Sequence, residues 1–125
     1  MKIVRQDPPR KFRVGADGHL ELSDCGRIEL APDEQVTFTT EAGGEYDVAR
    51  KSWGFYATPS LNSRLPRFGL RPALVKGLEG TFFVMLVERD QETSFRAYLT
   101  AEGLALIHWL DDEQFLRGLS AGACG

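Results

Sequence analysis

Between Phe12 and Val48 the apolar residues stand on alternate positions in short runs, each cut off by residues that turn the chain, and this period excludes a helical first half. Successive side chains of a strand point to opposite faces. Phe12 and Val14, Leu20 and Leu22, Ile28 and Leu30, Val36 and Phe38, and Tyr46 and Val48 therefore each place one face on a core. Asp17-Gly18, Asp24-Cys25-Gly26 and Gly43-Gly44 separate these runs, and Gly and Asp tolerate the positive φ of tight hairpin turns. Five short strands are expected.

The second half reads differently. Trp53 to Ala57 forms another strand, and Thr58 to Pro66, with two prolines, two serines and Asn62, reads as an ordered loop. Phe68 to Lys76 is a strand whose Pro72 cannot donate to a ladder, which places it at a sheet edge or bulge; Gly77 and Gly80 close it. Thr81 to Val87 is apolar without alternation, as in a strand covered on both faces. Asp90 then caps a helix with Phe95, Tyr98 and Leu99 on one stripe and Gly103 as its stop. Leu104 to Leu110 returns as a strand, which completes a β-α-β crossover, and Asp111 caps a last short helix carrying Phe115, Leu116 and Leu119. The fold class is mainly β (α+β): an antiparallel β sandwich or barrel-like sheet of about eight to nine strands with one crossover helix and a short C-terminal helix. Residues 1–125 read as a single domain with flexible ends at 1–10 and 120–125.

The polar start, Met1 to Lys11 with Pro8 and Pro9, lacks the apolar stretch of a secretory signal. The longest apolar run, Phe82 to Val87, is far below the ~20 residues of a membrane span. Cys25, in a turn, and Cys124, in the small-residue tail, lack CxxC spacing and read as free thiols. These features point to the cytoplasm and away from a membrane.

Charge is distributed unevenly. Residues 14–49 hold Arg27 against nine acids, and residues 77–125 hold three arginines against eight acids. Between them, residues 48–76 carry Arg50, Lys51, Arg64, Arg67, Arg71 and Lys76 and not one acid. Trp53, Phe55, Tyr56 and Phe68 lie in the same stretch with Ser52, Thr58, Ser60, Asn62 and Ser63. Arginine matches phosphate or carboxylate oxygens with a fixed fork of donors, and aromatic rings stack on a base or sugar face. The candidate ligand-binding residues are Lys51, Trp53, Tyr56, Asn62, Arg64, Arg67 and Arg71, with Arg64, Arg67 and Arg71 holding the anion. The competing reading is that these cations pair with the acidic flanks and imply no ligand.

Little catalytic chemistry is encoded. A mainly β chain of this size invites comparison with the cupins, whose metal form relies on an H-x-H pair, a nearby Glu and a later His. His19 and His108 stand alone here, so no metal site and no cofactor is expected. No G-x-S-x-G elbow, P-loop or G-x-G-x-x-G occurs. Asp111, Asp112 and Glu113 open a helix, where the macrodipole favours acids. His108 and Tyr56 are the residual candidates for proton transfer.

The function these features suggest is a small binding module for an anionic small molecule such as a phosphorylated sugar, nucleotide sugar or acidic saccharide, with non-catalytic binding favoured over an enzyme. The alternatives are a cupin-like, metal-free sugar isomerase or epimerase, and a protein-interaction module acting as a homodimer or accessory subunit. A pI near 5.4 with two acidic flanks disfavours nucleic acid as a partner.

Overall fold

The computed structural model describes residues 1–123. Eight strands and three helices occur among them: β1 (Lys2–Val14), β2 (Leu20–Glu29), β3 (Gln35–Thr39), β4 (Glu45–Lys51), β5 (Gly54–Ala57), α1 (Arg64–Arg67), β6 (Leu70–Lys76), β7 (Phe82–Glu88), α2 (Glu92–Glu102), β8 (Ala105–Trp109) and α3 (Glu113–Ala121). The chain is mainly β, with three small antiparallel sheets of order β1-β2, β3-β4-β5 and β7-β6-β8. Among the described residues none closes: three small sheets stand where the alternation suggests a sandwich or barrel-like sheet. A sandwich requires each sheet to bury one face. The β1–β2 ribbon instead leaves Ile3, Val4, Leu22 and Ile28 exposed. No helix of the described residues is long and apolar enough to cross a membrane.

The contacts group into two compact units: Met1–Val36 with Val48–Tyr56, and Thr37–Asp47 with the chain from Ala57 onward. In the first unit β1 pairs antiparallel with β2, Lys2 opposite Glu29, Val4 opposite Arg27 and Arg5 opposite Gly26. Residues 1–10, which composition alone suggests are loose, thus form strand as far back as Lys2. Asp24-Cys25-Gly26 is not a turn between two strands but runs on within β2, opposite a bulge in β1. The register breaks between Arg5 and Arg10, where Gln6 to Pro9, including a cis Asp7–Pro8 peptide, oppose Cys25. Gly26 is required there: its φ is +146°, and a Cβ would lie 2.3 Å from the Val4 carbonyl oxygen.

The second unit holds the core. Antiparallel pairing of β6 with both β7 and β8 makes those outer strands parallel to each other, so β7, α2 and β8 form the crossover the sequence suggests, straddling β6. Ala73, Val75, Val87 and Leu99 are buried together, with Met85, Phe95, Leu104, Leu106 and Trp109 packed against them. α2 ends at Gly103 in the left-handed conformation, its N–H returning to Thr100. Asp90 makes no side-chain cap, since the chain passes through a 3-10 turn, Arg89–Gln91, before α2.

Pro72 occupies the middle strand of its sheet and is fully buried, contrary to the edge or bulge position its missing N–H suggests. Its carbonyl accepts from Leu110 N–H at 2.8 Å, so its absent N–H falls on the β8 side, and the β8 ladder starts only at Ala73 opposite Trp109. The missing donor therefore falls at the end of the β8 ladder, where only the reciprocal bond to Leu110 O is forgone.

α3 is capped by Asp112, whose Oδ1 accepts from Gln114 and Phe115 N–H, and not by Asp111. Ser120 and Ala121 still belong to α3, and Cys124 lies outside the described residues.

Candidate functional site

The seven sequence-derived ligand residues do not share one unit. Lys51, Trp53 and Tyr56 belong to the first; Asn62, Arg64, Arg67 and Arg71 belong to the second. Most of the polar ones already have partners. Lys51 Nζ lies 2.6 Å from Asp33 Oδ1, and Asn62 Nδ2 donates to Glu113 Oε1 at 2.6 Å. Arg64 reaches the buried Asp47 at 3.3 Å and covers the Phe68 ring, while Arg67 donates to Ser63 Oγ. Trp53, in the turn between β4 and β5, and Tyr56 on β5 are exposed.

Arg71 is the most fully engaged. Nε and Nη2 donate to the two Asp111 oxygens at 2.9 and 3.1 Å, Nη1 donates to Glu92 at 3.2 Å, and the guanidinium lies 4.0 Å from the centre of the Trp109 ring. The Asp111 hydrogen bonds raise its pKa above the ordinary arginine value, with Glu92 adding to the effect. Planar bidentate pairing and stacking on an aromatic face both suit arginine rather than lysine. With two carboxylates in place, Arg71 has little capacity left for an external anion.

A different cluster in the first unit has that capacity. A cleft of about 790 Å³ is lined by Lys2, Val4, Arg27, Ile28, Arg50 and Phe55, with Glu29 as its acid. Strand pairing builds the wall: Val4 faces Arg27 across the ribbon, and Lys2 faces Glu29. The rim is a tight turn in which Glu34 N–H returns to the Ala31 carbonyl and Glu34 Oε1 accepts from Ala31 N–H at 2.7 Å. That backbone bond, together with the Met1 amine, holds the Glu34 carboxyl below its usual pKa. Arg50 is positioned by its main chain, its N–H bonded to Glu34 O and its carbonyl to Asp33 N–H. Its Nη1 is buried with no hydrogen-bond partner among the described residues. Lys2 and Arg27 likewise have no ion-pair partner among the described residues.

Sequence reasoning misses all three cations of this cleft: it sets Lys2 aside with the N-terminal residues as a loose end, and it notes Arg27 and Arg50 for their charge without placing them among the ligand residues. A signal was present: Arg27 is the lone base among the nine acids of residues 14–49, and residues 1–13 hold five bases against one acid.

The second unit also holds the histidine candidate. His108 Nε2 lies 3.0 Å from Asp112 Oδ2, and its ring stacks on Phe115 at 4.1 Å. A groove of about 580 Å³ runs past His108, Arg96, Arg71 and Trp109. His19 is exposed in the first unit, in contact with Asp17. No group of three or more His, Cys, Asp or Glu among the described residues is arranged to hold a metal ion.

The Asp112 carboxyl sits below its ordinary pKa, first because Phe115 N–H bonds to it and next because of His108. A depressed carboxylate contributes stability that is present above its unfolded pKa and is lost as pH falls through the folded one. The melting temperature of the wild type should therefore exceed that of Asp112→Asn at neutral pH, and the gap should shrink below about pH 4. A gap that is independent of pH would remove the carboxylate from this role.

The chain matches no family model, no curated protein and no solved structure.

Proposed function

We propose that the chain is a binding module for an anionic small molecule of the phosphorylated-sugar, nucleotide-sugar or acidic-saccharide class, held in the cleft of the first unit. The observation that carries this reading is the buried, unpartnered Nη1 of Arg50 beside two further unpaired cations, Lys2 and Arg27. A buried donor left unsatisfied costs about 1–3 kcal/mol, more when charged, and an anion entering the cleft offsets that cost. Val4, Ile28 and the exposed Phe55 ring offer apolar and aromatic surface for a sugar face or base.

Leu30 is the one buried residue of this unit, so a bound ligand should show as a clear rise in melting temperature. Thermal-shift and calorimetric titration with a nucleotide sugar, a sugar phosphate and a neutral sugar should give binding for the anions alone. Arg50→Gln should weaken it by about 10- to 100-fold, the worth of one charge-assisted hydrogen bond. Equal silence from all three compounds at low salt would refute the reading.

The isomerase alternative rests on His108 and its Asp112 partner. Tyr56, its sequence-derived acid, is carried by β5 in the other unit and is exposed.

A further inference from the structure

We infer that the protein forms a symmetric dimer in which β7 pairs antiparallel with β7 of a second copy, centred on Val84. β7 is an edge strand, bonded to β6 on one side only. Its outward groups can be identified from the ladder. Arg89 N–H bonds to Gly69 O, and Gly77 N–H bonds to Thr81 O, so within the unbroken β6–β7 register the odd-numbered residues of β7 face β6. Phe82, Val84 and Leu86 therefore turn their N–H and C=O groups away from β6, and nothing among the described residues pairs with them.

Edge strands are ordinarily guarded by a lysine, a proline or a bulge. β7 has none of these: its sequence is FFVMLVE and its register with β6 runs without a shift. Phe82, Phe83 and Val84 are 58%, 48% and 61% exposed on a strand whose six leading residues are apolar. A small apolar molecule could cover those side chains but would leave the backbone groups unpaired; another strand satisfies both.

A second copy fits by register and by charge. With Val84 opposite Val84 of the partner subunit, Phe82 meets Leu86 of the partner subunit, and Phe83 meets Met85 of the partner subunit. Each hydrogen-bonded pair then exchanges two backbone bonds. Glu88, the one charged residue of β7, lies beyond the stretch Phe82 to Leu86 that pairs with its own copy in the partner subunit, so no like charges meet within the pairing. The two three-stranded sheets join into one continuous sheet.

Sedimentation of the full chain at physiological salt should give twice the 13.9 kDa chain mass. Val84→Lys and Val84→Glu each place like charges opposite one another at the symmetry axis and should sediment as monomers with unchanged circular dichroism, dimerisation weakened by more than about tenfold. Mixing the two variants should restore the dimer. Val84→Pro, which removes an N–H turned away from β6, should also give a monomer and provides a second route should a charged variant fold poorly. A wild-type chain that stays monomeric at high concentration, a Val84→Lys chain that stays dimeric, or a mixture that does not associate would each overturn the inference.

Discussion

Leu65→Ala should lower the unfolding free energy by about 3 kcal/mol, within the range for removing a buried leucine that leaves a cavity. Leu65 has no exposed surface at all, although it sits in the one-turn helix α1 amid prolines and serines. A helix of that length has no independent stability, so its burial against the second unit is what holds it. Leu65 N–H bonds to Ser60 O and Arg64 N–H bonds to Ser60 Oγ, so loss of the anchor should also free the loop and weaken the Arg64–Asp47 pair. Leu61→Ala, at a residue 38% exposed, should stay within about 0.5 kcal/mol of wild type. Urea denaturation followed by tryptophan fluorescence distinguishes the two, and a wild-type midpoint for Leu65→Ala would contradict this account of the loop.

Gly26→Ala should be comparably damaging for a different reason. The new Cβ would overlap the Val4 carbonyl oxygen at 2.3 Å and approach Arg5 Cα at 3.1 Å, in a backbone conformation that side chains rarely adopt. Backbone on both sides leaves nothing flexible to yield, and about 2–3 kcal/mol of strain is expected. Relief requires β1 to separate from β2 at Val4, opposite Arg27, which dismantles the wall of the cationic cleft. The variant should therefore lose the hydrogen-exchange protection of the Ile3 to Arg5 amides and, with it, the proposed anion binding. Gly18→Ala, with positive φ but open space around its Cβ, should cost about 1 kcal/mol and leave the cleft intact. Unchanged protection in Gly26→Ala would show that the ribbon tolerates a side chain there.

The cations of the acid-free stretch 48–76 differ in their surroundings. Lys51, Arg64 and Arg71 pair with Asp33, Asp47 and with Asp111 plus Glu92, all from the acidic flanks, so charge balance accounts for them. Arg50 has no such partner, and it alone of that stretch's cations lines the cleft with Lys2 and Arg27. An absence of acids along the chain thus records which residues need carboxylates from elsewhere as much as which could meet a ligand. Arg71 illustrates the limit: the arginine fork that suits a phosphate suits Asp111 equally well.

What the sequence determined by itself is whatever depends on neighbours along the chain. The alternation of Val36, Phe38, Tyr46 and Val48 about Gly43-Gly44 sufficed for the β3–β4 hairpin. The stripe from Phe95 to Leu99 with Gly103 behind it sufficed for α2 and its end, and hence for the crossover. Those elements follow from periodicity and from one left-handed residue. Tertiary structure decided everything set by register between remote segments: that Asp24 to Gly26 continue β2 opposite a bulge in β1 rather than turn, that Pro72 can lie mid-sheet because the β8 ladder ends at Trp109, opposite Ala73, and that Asp111 is drawn to Arg71 while Asp112 caps α3. The candidate site belongs to this second class. Lys2 and Arg27 are 25 positions apart and Arg50 is 23 further on, and only strand pairing and the Asp33–Arg50 backbone bonds bring three unpaired cations to one cleft, a relation no local pattern encodes.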